Sequence, residues 1–250
     1  MLDTVKRESI YQPMQAGLKF PEKPTFATRA EERKHLQQRL VAACRAFAVH
    51  GLDYGFAGHL TIRDPEHPEL YWTNPMCVHF ADVKMSNLIL ADHKGRVVQG
   101  EYAINRAGFV LHAAVHEAHP DILAMCHAHT VYGVAYAALG RPLPPVTQDA
   151  CAFFEDHIVV TDEGGKVAVE EEAGHNFASA FKGVKAAIHQ SHGLITASRH
   201  SIEAAAFWFI ALERCCHQQL MLDATGIPPV LVPAEKARYS REHVGSEYIG

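Results

Sequence analysis

The run Ile122-Leu123-Ala124-Met125-Cys126, leading into His127-Ala128-His129, constrains this chain more than any other feature. A short apolar run of this kind suits a buried strand. Side chains alternate between the faces of a strand, so His127 and His129 share a face, about 7 Å apart along the backbone. Cys126 then points to the other side, where burial is its expected role. A second apolar stretch, Ala186-Ala187-Ile188, precedes His192-Gly193-Leu194-Ile195-Thr196 and reads the same way. Two strands could thus deliver three imidazoles to one place and leave coordination positions open. Three protein ligands with an open position is the arrangement of catalytic zinc, and it also suits iron. A chain with 18 histidines shows some His-x-His pairs by accident, so the pair alone does not establish a metal site.

The rest of the chain frames these strands. Residues 1–27 carry Pro13, Pro21 and Pro24 without periodicity and read as an extended arm. Thr28 with Glu31 forms a capping signal for a helix whose stripe is Leu36, Leu40, Ala43 and Phe47, ended by Gly51. Short strands follow, with Asp92-His93-Lys94-Gly95 as a hairpin turn. Helices are expected over 106–118, 132–139, 170–181 and 201–224, and a strand pair over 185–197. Pro228, Pro229 and Pro233 suggest an irregular tail over 227–250. Central strands with helices before, between and after predict one α/β domain over 28–226, a three-layer α/β/α sandwich around a mixed, largely antiparallel sheet.

Composition excludes several classes. The net charge of −5 argues against a nucleic-acid footprint. There is no apolar run of membrane-spanning length and no apolar leader core at the start, so a cytoplasmic location is expected. Six cysteines without a spaced framework suggest reduced thiols.

Five landmarks carry a resemblance. They are Ala57-Gly58-His59-Leu60-Thr61-Ile62-Arg63; Asn87-Leu88-Ile89-Leu90-Ala91-Asp92 with Gly95 and Gly100; His112 with Ala118-His119-Pro120-Asp121; His127-Ala128-His129; and His192-Gly193-Leu194-Ile195-Thr196. In this order, from about Glu31 to Thr225, the chain resembles the class II aldolase/adducin family. The resemblance implies the same sandwich fold, His127, His129 and His192 as ligands of one divalent metal per subunit, and a homotetramer with clefts completed by a neighbouring chain. Zinc is the first choice, with iron(II) or manganese as alternatives. It places substrate contacts at His59, Thr61, Arg106, Tyr132 and Gln148.

Departures from the family pattern bear on the chemistry. The sugar-phosphate aldolases of the family carry Ser-Ser-Glu where this chain has Arg106-Ala107-Gly108, and an asparagine where this chain has His59. The phosphate grip and the acid/base carboxylate are therefore both missing. Arg106 suits a substrate carboxylate. Phe153 and Phe154 suit an aromatic pocket or simply the core. Glu155, Tyr239 and Tyr248 are the remaining candidates for the catalytic group. His112, His116 and His119 share a helix face and read as packing or surface residues, and His189 as a supporter of His192. The expected activity is metal-dependent carbon–carbon lysis, retro-aldol or decarboxylating, on a small carboxylate-bearing hydroxy or keto substrate. The alternatives are a non-haem iron oxygenase that oxidatively decarboxylates an aryl keto acid, and an adducin-like scaffold without catalysis.

Overall fold

A computed structural model describes residues 13, 15–161 and 171–246. Helix α1 spans Arg29–Val49, and strands β1 (Gly58–Arg63), β2 (Leu70–Thr73), β3 (Ile89–Asp92) and β4 (Val97–Gln99) follow. Then come α2 (Arg106–Ala118), β5 (Ala124–Ala128), α3 (Val131–Ala137), α4 (Gln148–Cys151) and β6 (His157–Val160). The chain continues through α5 (Glu171–Phe181), β7 (Ala186–His189), β8 (Gly193–Ser198), α6 (Ile202–Ala224) and α7 (Ala234–Val244). The strands form one sheet in the order β4-β3-β2-β1-β5-β8-β7-β6. Every pairing is antiparallel except β6 with β7. This is the expected α/β/α sandwich.

Alternation along the central strands sorts the two faces. Leu60, Ile62, Ala124, Cys126, Ala128 and Leu194 enter the larger core with α1, α3 and α6. Met125, Ile195 and Ala197 enter the smaller core against α2 and α5. Pairing of β1 with β5 sets His59 opposite His127 and Thr61 opposite Met125. The period of two thus puts His59, Thr61 and His127 on the α2 side, and Cys126 in the larger core.

Helix ends follow their sequence signals. Thr28 accepts from the Glu31 amide at 3.2 Å, and Glu31 reaches back to the Ala27 amide at 3.0 Å. Ser201 accepts from the Ala204 amide at 3.0 Å. Residues 15–27 form neither helix nor strand. The expectation of an irregular tail over 227–250 is corrected by α7, a helix poor in apolar residues whose only buried side chain is Ala237. Lys185 pins it from below. Its ammonium lies 4.3 Å from the Trp208 ring centroid, and it donates to the carbonyls of Ala152 (2.9 Å) and Gly245. The expected strand over 122–129 is shorter, and His129 falls just past its end.

Asp64 ties α1 to the sheet. Its buried carboxylate accepts two bonds from Arg33 (2.7 Å each), one from Trp72 Nε1 (2.7 Å), and the backbone amides of Glu66 (2.9 Å) and His67 (2.8 Å). Burial alone would raise its pKa, but Arg33 and the other donors outweigh that and hold it below the usual carboxylate range. An Asp64→Ala replacement leaves Arg33 and Trp72 without their acceptor and should cost about 3–5 kcal/mol in urea unfolding. Because the folded-state value is depressed, this stabilisation is fully present above about pH 4 and is lost as pH falls through the folded value. Wild type should therefore lose more stability than the variant over that acid range.

Candidate metal centre

His127, His129 and His192 meet at the end of β5. Their ring centroids lie 4.7–5.0 Å apart, and one ring nitrogen from each falls within 4.8 Å of the others. His127 is the penultimate residue of β5. His129 follows the strand, with its amide bonded to the Ala57 carbonyl at 3.2 Å. His192 sits in the tight turn between β7 and β8 rather than on a strand. There Ser191 (φ 58°) and Gly193 (φ 148°) take positive φ, which favours glycine at the second position.

Two of the rings are held from behind, and the third through its backbone. His127 Nδ1 donates to the Leu194 carbonyl at 2.8 Å, which leaves Nε2 with a free lone pair. His192 Nδ1 is bonded to His189 Nδ1 at 3.0 Å, the supporting role expected of His189. Orienting partners of this kind accompany metal-binding histidines. The turn after His129 is fixed by Glu213, a buried carboxylate on α6. It accepts from Thr130 Oγ1 at 2.5 Å and from the amides of Tyr132 (3.1 Å) and Gly133 (2.7 Å), the open donors at the start of α3. Glycine at 133 makes room for this contact, because a Cβ there would lie 2.6–2.8 Å from side-chain atoms of Thr130, Leu194 and Glu213 and would force them to shift.

All three rings favour the neutral form. Burial, then nearby His192 and His59, pushes His127 well below its usual value. Burial lowers His129, and burial followed by His189 lowers His192 to about 3. Neutral imidazoles with converging lone pairs are the donor set that a divalent transition metal requires, so these residues fit such an ion.

A fourth imidazole adjoins the triad. The His59 ring centroid is 5.3 Å from that of His127 and 4.0 Å from that of His112. His59 occupies space that only glycine at 108 allows, since a Cβ on Gly108 would come within 2.1 Å of its Cε1. The His59 ring sits against the Gly108 backbone, and Nε2 of His112 has no hydrogen-bond partner among the described residues. Behind them Thr61 Oγ1 lies 2.9 Å from both His112 Nδ1 and His116 Nε2. His112 and His116 are fully buried, which meets the packing alternative of the sequence reading, while His119 at the end of α2 is half-buried.

The other expected site residues are more dispersed. Thr61 commits its hydroxyl to the two α2 histidines. Arg106 and Gln148 are exposed at the first turns of α2 and α4. Tyr132 is partly exposed and stacks on His217 at 3.6 Å. Glu155 is exposed and engaged by Arg238 at 2.8 and 2.9 Å. Tyr239 is 60% exposed on α7 and stacks on His243. Tyr248 lies outside the described residues, as does Tyr11 of the arm. Sequence reasoning missed Glu213 and the two glycines, Gly108 and Gly133. No local signal marked Glu213, which is followed by Arg214 and by further polar residues of α6.

Replacing Glu213 with Ala leaves the Thr130, Tyr132 and Gly133 donors without an acceptor. Stability should fall by about 1–3 kcal/mol, with faster amide exchange concentrated at Tyr132 and Gly133. Unchanged exchange at those amides would remove Glu213 from this role.

The family described as Class II Aldolase and Adducin N-terminal domain matches residues 38–220. The chain is 43% identical over 233 residues to Decarboxylase NovR of Streptomyces niveus, covering 92% of this chain and 85% of that protein. It is 43% identical over 234 residues to the 4-hydroxy-3-prenylphenylpyruvate oxygenase/4-hydroxy-3-prenylbenzoate synthase of Streptomyces roseochromogenus subsp. oscitans, covering 92% and 83%. Among solved structures, the L-fuculose 1-phosphate aldolase from Glaciozyma antarctica PI12 superposes with a TM-score of 0.84 at 39% identity, covering 91% of this chain and 88% of that one. No helix among the described residues is long and apolar enough to cross a membrane. By sequence and by fold, the chain belongs to the class II aldolase and adducin family.

Proposed function

We propose that the protein is a decarboxylating enzyme for a small carboxylate-bearing hydroxy or keto acid, with one divalent metal held by His127, His129 and His192. The observation that carries this reading is the all-imidazole donor set, which no carboxylate joins among the described residues. The names of the two Streptomyces relatives, a decarboxylase and an arylpyruvate oxygenase, support it. A bound metal would supply a Lewis acid, its charge undiminished by the neutral ligands, to polarise a carbonyl or carboxylate oxygen.

The chain's own residues supply orientation and environment. Leu194 and His189 hold two of the ligand rings, and Glu213 holds the turn carrying the third. Exposed Arg106, at the first turn of α2, attracts the substrate's carboxylate from the solvent side, with Gln148 and Tyr132 as further contacts. Glu155 is tied to Arg238 and is set aside as the proton-transfer group. A fuculose-phosphate reading takes support from the name of the solved structure. Against it stand Arg106-Ala107-Gly108 at the head of α2 and the His59 ring packed on Gly108.

The oxygenase is a second reading, favoured by three neighbouring imidazoles with open positions, a geometry that suits iron. One set of measurements separates the readings. Protein purified without added metal is analysed for metal, then given an arylpyruvate with and without air. Carbon dioxide release that persists without oxygen supports the decarboxylase. Release that requires air and consumes oxygen, with iron bound, selects the oxygenase. Absence of metal leaves the scaffold. Cleavage of fuculose 1-phosphate at ordinary enzyme rates, about 1–1000 per second, overturns the substrate assignment. His129→Ala should lose most of its metal and its activity while remaining folded.

We also infer a homotetramer in which a neighbouring chain covers the triad end of the sheet. Exposed Tyr54, Phe56 and Val131 flank His129 and leave an apolar rim there. Light scattering should give a multiple of the 27.6 kDa chain mass, and a value near 27.6 kDa would overturn the assembly.

A further inference from the structure

Helix α7 is docked on the domain by polar contacts far more than by apolar ones. Its one buried side chain is Ala237, joined by the partly buried Val244. Ile227, Val230 and Leu231, along the linker that leads to it, are exposed. At the end of that linker the Val232 amide donates to the Pro145 carbonyl at 2.8 Å. The helix itself grips the turn that follows α4. Arg238 binds Glu155 at 2.8 and 2.9 Å. Arg241 lies 3.5 Å from the same carboxylate and donates to the Phe154 carbonyl at 3.3 Å.

Lys185 completes the attachment from inside the protein. Its buried ammonium lies 3.2 Å from Asp156 Oδ2. It donates to two carbonyls, that of Ala152 at the end of α4 and that of Gly245 at the end of α7. One cation thus joins the C-terminal ends of both helices. Glycine at 245 permits this approach, because a Cβ there would lie 2.4 Å from the Arg241 carbonyl oxygen and 2.7 Å from that of Ala152. The bonds at Pro145 on one side and at residues 152–156 on the other bracket α4, whose first residue is Gln148.

We propose that α7 is a latch whose docking fixes both ends of this bracketed segment and so sets the position of Gln148. Its effect on substrate rests on reading Gln148 as a contact of the keto acid, whereas the coupled motion of the two segments does not. An element with few buried apolar contacts opens at lower free energy than the core. Exposed ion pairs such as Arg238–Glu155 hold weakly and are screened by salt. When α7 lifts, residues 145–148 lose the Val232 bond and residues 154–156 lose both arginines. Phe153, fully buried in the larger core, stays as the pivot between them. Lys185 biases the latch toward closure, because opening leaves a buried ammonium short of an acceptor.

Hydrogen exchange on the full, metal-loaded chain tests the latch. In Lys185→Met the amides of α7, of residues 146–148 and of residues 154–156 should all exchange about tenfold faster or more, while α1 and β5 keep wild-type rates. Gly245→Ala forces the end of α7 off the Ala152 carbonyl and should do the same, which keeps the test decisive if Lys185→Met folds poorly. Faster exchange confined to α7 in both variants would overturn the latch. So would acceleration spread evenly over every element, the mark of lost overall stability. With phenylpyruvate as substrate, both variants should raise KM severalfold, with kcat within about twofold of wild type and metal content unchanged. Coupled exchange with unchanged KM would overturn the role in placing Gln148. Coupled exchange in a protein that turns over no phenylpyruvate would uphold the latch and defeat the functional reading. Turnover with uncoupled exchange would do the reverse.

Discussion

The register between β1 and β5 is the constraint from which the rest of the site follows. It sets His59 against His127 and Thr61 against Met125, all on the face covered by α2. A slip of one residue would turn Leu60 and Cys126 toward α2 and drive the imidazoles into the apolar core under α1 and α6. The apolar alternation fixes the register, because one face must bury Leu60, Ile62 and Cys126. The chemistry is carried on the residues between them. The same pattern that makes the core therefore delivers the imidazoles.

Placement beyond the strand ends uses other means. His129 and His192 lie in turns, where sheet pairing no longer fixes the backbone, and each turn has its own lock. For His129 it is Glu213, which reaches from α6 across to the first amides of α3. For His192 it is the positive-φ turn at Ser191 and Gly193 together with the His189 ring. Such locks cost sequence freedom at distant positions. Gly133 is confined by Glu213 and Leu194, and Gly108 by the His59 ring. Functional rings thus dictate small residues on the elements that pass behind them.

How much of this was legible in the sequence follows from the range of each interaction. The sandwich, the hairpin at Asp92 and the caps at Thr28 and Ser201 depend on local periodicity and near neighbours, and they were readable. The convergence of His127, His129 and His192 was readable because strand alternation and family order both pointed to it. Helix α7 was hidden by its sparse apolar content, although Glu235 in its first turn and Arg241 and His243 in its last are favourable dipole partners. Helix α4 was hidden by its brevity, at four residues. Glu213 acts on residues about 80 positions away, and no local pattern encodes that distance. The choice between packing and surface for His112 and His116 was left open by the sequence for a related reason. Their partner is Thr61, on a strand more than 50 residues earlier.

The charge balance around the triad narrows its chemistry further. Five imidazoles, His59, His112, His127, His129 and His192, gather there, and burial is the foremost cause holding each toward its neutral form. The buried acid nearest in the hydrogen-bond network, Glu213, is spent on three donors of α3. A site built this way, among the described residues, offers a cation no charged ligand and a substrate no carboxylate base. Removing a proton from a neutral sugar hydroxyl would call for such a base. On the proposed reading, an acid substrate whose carbonyl lies β to its carboxylate would need none for bond breaking. The carboxyl group leaves as carbon dioxide, and the electron pair of the broken bond passes into the polarised carbonyl as an enolate. A cation held by neutral imidazoles alone would, on the same reading, keep its full charge and would favour a substrate that brings its own negative charge.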